Sequence, residues 1–509
     1  MKINQLKLGS LLSYGQTLLS ILIGILYTPV MIRLLGQSEY GLYNTVSSTI
    51  AMLTVLSLGF NSSYIRYYAQ YKQRKDEDAI SRLNGLFMLI FLIIGAVALG
   101  CGLVLTGNLE WIFAEGLTPE EYQKARVLML LLSINMGISF PSSVFTSIIS
   151  AKERYVVLKL IGMLKTVASP AVTLPLLLCG YGSVAMVTVT LCVSIIADLC
   201  YLCYTVGKLK CKFVFHGFEK GLFRDLLGFT VFLAINMIVD QINNNVDKFL
   251  LGRYCGTVSV AIYAAGHTLY NFYVMFSMSL AGVFTPRVHR LVQATGDDPA
   301  RQKAELTALL TKVGRIQFAI LMLFATGLIF FGKPFIAVWA GEGYADAYYV
   351  ALLLILPASV PLIQNLGIEV QRAQNNHRFR SISYICMAIL NLIMTVFLCQ
   401  LYGAVGAAVG TAISLALANG LVMNIFYHKR CNIDILHFWK SILRMAVGLL
   451  PAILAGTALM LLLDMSRFWV LAAAIAGYAL VYCGGLWLLG LNSYEKDLLR
   501  KPLKKLLHR

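Results

Sequence analysis

The 509-residue sequence is 58% hydrophobic and 13% charged, and its 42 Lys and Arg against 24 Asp and Glu give a formal net charge of +18. Apolar runs of 18 or more residues alternate with short polar segments, which excludes a soluble globular domain and predicts a polytopic membrane protein. A basic excess of this size points to nucleic acid only if the charges form a patch, and their placement along the chain excludes that reading.

The first apolar run, 9–35, follows Lys2 and Lys7 and continues without a small-residue cleavage site, so it reads as a first membrane span rather than a signal peptide. Thirteen more helices are predicted in 40–66, 81–106, 122–150, 156–179, 183–207, 226–251, 258–286, 304–332, 345–371, 380–400, 403–427, 441–463 and 468–490. With the N-terminus in the cytoplasm, 32 of the 42 basic residues fall at cytoplasmic ends, so the positive-inside rule predicts both termini there. Topology and anionic inner-leaflet lipid then account for the charge, with the bilayer and no nucleic acid as partner. The eleven Cys are scattered through apolar runs, and Cys200-x-x-Cys203 has no second pair or His cluster nearby. No metal site, disulfide or catalytic constellation is predicted.

An internal repeat is visible in the turns. Leu34-Leu35-Gly36 recurs as Leu250-Leu251-Gly252 after 216 residues, Ala151–Arg154 matches Ala373–Asn376 after 222, and Tyr181-Gly182 matches Tyr402-Gly403 after 221. Trp111 and Trp339 mark corresponding outer loops. Six helices per copy is an even number, so the copies enter from the same side as parallel repeats. The predicted organisation is an all-α protein of about 14 transmembrane helices. It has an N-lobe over 1–207, a basic interfacial linker over 208–225, a C-lobe over 226–428, two extra helices within 429–490, and a basic cytoplasmic tail over 491–509.

The most unusual stretch is Asn236–Gly252, polar yet inside a run of membrane-spanning length. At 3.6 residues per turn, Asn236, Asp240, Asn243, Asn244 and Asp247 share one face, with the two aspartates two turns and about 10 Å apart. A charge at the bilayer centre costs roughly 3 kcal/mol on insertion scales, so such a face is expected to line a wet cavity, a polar seam between packed helices being the alternative. The first helix has its own stripe of Ser13, Gln16, Thr17, Ser20, Gly24, Tyr27 and Thr28, and the tenth adds Gln364, Asn365, Glu369 and Arg372. Glu369 and Arg372 are spaced to pair on one face. In the eighth helix, His267 beside Tyr263, Tyr270 and Asn271 reads as a packing residue. Five cations are candidates for holding an anion: Arg66 and Lys165 foremost, with Arg33, Lys248 and Arg315 close enough to helix ends to snorkel. Asp240 and Asp247 are expected to act together as a switchable charge, with Glu369 as a third member.

Three motifs carry a family resemblance: Leu35-Gly36-Gln-Ser-Glu-Tyr40-Gly41-Leu-Tyr43, Leu58-Gly59-Phe-Asn-Ser-Ser-Tyr-Ile-Arg66-Tyr-Tyr, and Asp247-Lys248-Phe-Leu-Leu-Gly252. In order and spacing they resemble the polysaccharide transporter (Wzx-type) flippases of the multidrug/oligosaccharidyl-lipid/polysaccharide (MOP, MATE-like) exporter superfamily, over essentially the whole chain. The resemblance implies a bacterial plasma-membrane protein that moves an undecaprenyl-pyrophosphate-linked oligosaccharide from the inner to the outer leaflet by alternating access. Such a protein is expected to serve lipopolysaccharide, capsule or exopolysaccharide synthesis, to act as a monomer, and to have the polysaccharide polymerase machinery as a partner. It further implies coupling to a cation gradient, with H+ or Na+ as the only cofactor.

Two other readings stand beside it. A multidrug or small-molecule exporter of the same superfamily would also use polar seventh-helix residues, although cations inside the bundle disfavour cationic drugs. A membrane-embedded polymerase or ligase acting on the same lipid is expected to display catalytic side chains in a sizeable outer loop, whereas the longest here runs over about 107–121.

Overall fold

The computed structural model describes residues 5–113, 116–218, 237–282, 284–295, 298–374, 377–497 and 500, together with 221, 226, 230, 234 and 235. Among these the chain is helical almost throughout and holds no strand. The helices are α1 (Gln5–Ala51), α2 (Phe60–Arg74), α3 (Glu77–Gly107), α4 (Leu109–Ile112), α5 (Pro119–Ala151), α6 (Tyr155–Leu178) and α7 (Ser183–Cys203), followed by α8 (Asp247–Tyr254) and α9 (Gly256–Ala281). Then come α10 (Thr285–Ala294), α11 (Pro299–Trp339), α12 (Ala347–Ile363), α13 (Leu366–Ala373), α14 (His377–Leu415), α15 (Met423–Arg430), α16 (Ile435–Ala446), α17 (Leu450–Leu462) and α18 (Phe468–Gly485).

Ten helical stretches among the described residues are long and apolar enough to cross a bilayer. Two of them, Leu8–Arg74 with 67 residues and Phe379–Arg430 with 52, are each long enough for two crossings. The first turns at Gly36 (φ 77°, ψ 170°) and the second at Gly403 (φ 56°, ψ −134°), a left-handed region that glycine enters without a steric penalty. This is an all-α, multi-pass membrane fold.

Packing divides the chain into two compact units, Met1–Ala264 with Cys399–Gly403, and Ala265–Leu398 with Ala404–Arg509. In the first unit an aromatic layer joins α2 to α3: Tyr64 meets Phe87 edge to face at 5.1 Å, and Phe60 lies 6.3 Å from both Phe87 and Phe91. Such pairs add about 0.5–1.5 kcal/mol each beyond burial. The buried Tyr64 hydroxyl donates to Asn84 Oδ1 at 2.6 Å. The segment after α7 is laid against this layer. Lys212 O accepts from Asn84 Nδ2, the Val214 N–H donates to Ser81 O, and Gly85 leaves no room for a Cβ beneath the Val214 carbonyl. Lys220 and Arg224 of that basic linker lie outside the described residues.

The α1 stripe serves packing in part. Ser13 and Thr17 donate to their own helix at the carbonyls of Gly9 and Ser13, while Gln16 lies on Gly162 of α6 and Gly9 on Tyr155. Such hydroxyls are satisfied within the helix and need no water.

In the second unit α11, α12, α16 and α18 surround one core, with Phe331 against Tyr478 at 5.3 Å and the Tyr482 hydroxyl on the Ala319 carbonyl. The chain past α18 is tied to this core. Asn492 and Glu495 form reciprocal side-chain to backbone caps, the Lys312 ammonium sits 3.5 Å from the centre of the Tyr494 ring, and Glu495 is buried. Residues 498, 499 and 501–509 of the basic tail lie outside the described residues.

Candidate translocation site

The first unit has a tightly knotted end around the Gly36 turn. Glu39, just past the Gly36 turn, accepts from the backbone N–H and hydroxyl of Ser183 at 2.6 and 2.8 Å, and pairs with Lys124 at 2.8 Å. It therefore supplies the anion that the N-terminus of α7 favours. Thr118 and Glu121 form a capping box at the start of α5, and Glu121 Oε1 also accepts from Ser38 Oγ at 2.5 Å and Thr257 Oγ1 at 2.8 Å. Close backbone approach completes the knot. A Cβ at Gly41 would fall on the Thr257 carbonyl, one at Gly116 on the Gly252 carbonyl, and one at Gly252 on Thr45. Arg253 Nη1 reaches Ile112 O at 2.7 Å and stands over the Trp111 ring.

Asp247 begins α8 at 2% exposure, and its Oδ2 accepts from the Tyr263 hydroxyl at 2.6 Å. Asp240 is exposed. The two are not joined by the regular helical spacing that would put them on one face, because Ile242–Val246 form a π-helical turn between them. An extra residue in one turn rotates everything after it by about 100°, and such bulges recur at functional positions. Asn244 donates to the Asp240 carbonyl and Asn245 to Gln241 Oε1, while Asn243 is half-buried. Lys248 is half-buried beside Asp247, and Asn236 lies outside the described residues.

Of the five cations, Arg33, Arg66 and Lys165 are exposed on the helices of the first unit. Lys165 on α6 and Ser142 on α5 both face the half-buried Asp198 of α7 closely enough to act on its carboxylate. The sequence reading missed Asp198, although an acid inside the 183–207 run met the same criterion as Asp240.

Arg315 belongs to the second unit and is engaged on every side. Nε and Nη2 hold Glu495 at 2.6 and 2.9 Å, Nη2 also reaches Gly490 O, and Nη1 reaches Ser441 O. Its donors serve the interior of that unit. Glu369 pairs with Arg372 at 2.7 Å, as its spacing predicts, and stands 3.9 Å from His289. Gln364 and Asn365 lie at the break between α12 and α13, where Gln364 Nε2 donates to Asn419 O and Asn365 Nδ2 faces Met278 Sδ. His267 is buried, with Asn271 Nδ2 3.1 Å from its Nδ1, a packed histidine as expected.

The first unit also contains a groove of about 400 Å³ with no charged residue in its lining. Asn135, Ser139 and Ser143 of α5 present one face into it at four-residue spacing, opposite Thr54, Asn61 and Phe91. No sequence expectation placed these residues in a site, although Asn61 stands within one of the family motifs. That spacing on an apolar helix was the available signal.

An all-helical fold of long apolar spans, with a knotted end and a polar groove inside one of its two units, defines a multi-pass membrane protein. Residues 8–292 match the polysaccharide biosynthesis protein family, and the chain belongs to that family. A Haloferax volcanii protein named as a probable low-salt glycan biosynthesis flippase, Agl15, is 20% identical over 367 residues, which is 65% of this chain and 74% of the relative. Among solved structures, the lipid II flippase MurJ in an inward closed conformation superposes with a TM-score of 0.69 at 17% identity, covering 97% of this chain and 99% of MurJ. An inward-facing MATE-family multidrug transporter of the MOP superfamily gives 0.59 at 14% identity, covering 82% and 99%. These two likenesses show that the chain shares the fold of those two proteins.

Proposed function

We propose that the protein is a flippase that carries an undecaprenyl-pyrophosphate-linked oligosaccharide repeat unit from the inner to the outer leaflet of a bacterial plasma membrane. Both termini lie in the cytoplasm, and the carrier works as a monomer that hands its cargo to the polysaccharide polymerase machinery. Membership of the polysaccharide biosynthesis family carries this reading, and the name of the Haloferax relative supports it. Two features of the first unit fit such a cargo: exposed cations Arg33, Arg66 and Lys165 for a pyrophosphate, and an uncharged polar groove. Asp247, buried against Tyr263 beside a π turn, is the carboxylate best placed to change protonation between conformations, and the exposed Asp240 acts separately. An ion biases a conformational equilibrium only through unequal affinity for the two states, which a carboxylate buried in one of them provides.

Reconstituted vesicles holding fluorescent lipid-linked oligosaccharide test the reading through leaflet distribution under imposed proton or sodium gradients. Wild type is expected to equilibrate or accumulate the lipid in the far leaflet. Arg66→Gln with Lys165→Gln is expected to slow it at least tenfold, and Asp247→Asn to remove gradient dependence. Vesicles that move a cationic drug and leave the glycolipid in place would replace the reading with drug export.

A further inference from the structure

We infer that the uncharged groove of the first unit is the site for a neutral sugar ring of the cargo, separate from the groups that hold its phosphates; this rests on the flippase reading. The groove, about 400 Å³, falls in the lower part of the range typical of small-molecule sites. Two classes of lining atom decide its chemistry. Asn135 and Ser139 are half-buried, and neither side chain makes a hydrogen bond among the described residues, so an amide and a hydroxyl are presented unspent. Across from them Asn61 uses its carbonyl oxygen to accept from Ser147 Oγ at 3.0 Å, which fixes the amide orientation and leaves its NH2 group as a donor. Thr54 and Ser143 donate to the carbonyls of Ala51 and Phe140, so each keeps an oxygen that accepts. The other class is apolar: the buried Phe91 and Phe140 contribute to the lining, together with Leu132 and Met136.

Other ligand chemistries fit this surface poorly. A lipid chain would cover the Asn135 and Ser139 polar groups without bonding them, at the cost of an unmade hydrogen bond for each. A phosphate or an organic cation would enter a lining without a counter-charge, which burial penalises. A neutral sugar has hydroxyls that both donate and accept, and C–H faces that lie against aromatic and aliphatic side chains. It matches both classes at once. The two α5 side chains stand one turn apart on a helix that presents Ser143 a further turn on, so successive hydroxyls of a ring can be read along one helical face.

The test measures binding of two probes to the full-length protein in lipid nanodiscs: undecaprenyl pyrophosphate, and the same lipid bearing one neutral hexose. Wild type is expected to bind the glycosylated lipid about tenfold more tightly, the gain of one to two net hydrogen bonds. Asn135→Leu, on α5, and Asn61→Leu, on α2, are each expected to reduce that gain to about twofold while binding of the bare lipid is unchanged, which also shows that the variants are folded. Ser139→Ala, the mildest change, is expected to reduce it by about half. If all three variants keep the full tenfold gain, the sugar lies elsewhere and the inference is overturned, with the flippase reading intact. If wild type binds the bare and glycosylated lipids equally, the groove reads no sugar and the inference fails in that way. If wild type binds neither lipid, the flippase reading itself falls and takes the inference with it.

Discussion

Each unit contains a cluster of charged and polar groups that ties several segments together, and the two clusters are built differently. In the second unit Arg315 and Glu495, with side chains 9% and 4% exposed, neutralise each other through paired hydrogen bonds, and the remaining Arg315 donors end on backbone carbonyls. In the first unit Glu39 and Glu121 take most of their donors from neutral hydroxyl and backbone groups, with Lys124 as the one cation and its side chain half exposed. A matched ion pair away from water fixes one arrangement, because parting the ions strands a charge. Neutral donors around a carboxylate can be exchanged for water one at a time, each at about 1.5–3 kcal/mol. The difference predicts which unit changes shape more readily: the first, whose knotted end is held mostly by neutral donors, rather than the second, whose interior holds a matched ion pair.

The sharpest way to break this comparison is to strand the buried charge. Arg315→Ala is expected to cost about 3–5 kcal/mol, read as a large fall in the midpoint of thermal unfolding in detergent, while Arg315→Met combined with Glu495→Leu recovers most of it. A change under 1 kcal/mol for the single variant would show that the second unit is not locked by this pair. Next in size is Tyr263→Phe, which removes a donor from the buried Asp247 carboxylate and is expected to destabilise the first unit by about 1.5–3 kcal/mol. Gly41→Ala drives a methyl onto the Thr257 carbonyl and is expected to cost about 1–3 kcal/mol. It should also raise the reactivity of a cysteine placed at Ser38 toward an impermeant thiol reagent, since it wedges the knotted end open. The smallest effect belongs to Lys124→Ala. The pair is partly exposed, so less than about 1 kcal/mol is expected, and raised ionic strength should erase the difference from wild type. A loss rivalling that of Arg315→Ala would erase the contrast between the units.

Much of the site was partly legible. The capping box Thr118-Pro-Glu-Glu121 is a local signal, and it marks the helix start where Glu121 also collects Ser38 and Thr257. Asp198 was visible as an acid in an apolar run, yet its proximity to Lys165 depends on α6 lying against α7. The groove was the hardest to foresee, because Thr54, Asn61, Phe91 and Asn135 stand on four different segments and only packing brings them together.

By itself the sequence determined the all-helical membrane class, the family, the turning points at Gly36 and Gly403, and the Glu369–Arg372 pair. Each follows from short-range rules: bilayer thickness sets the length of an apolar run, a left-handed turn selects glycine, and residues three apart on a helix meet. Only the tertiary structure decided that Arg315 belongs to Glu495, a residue 180 positions away, and that Asp247 is buried while Asp240 is exposed. A partner at that separation is chosen by which helices pack, and a single π turn, which leaves no mark in the hydrophobic period, is enough to turn a carboxylate from one face to another.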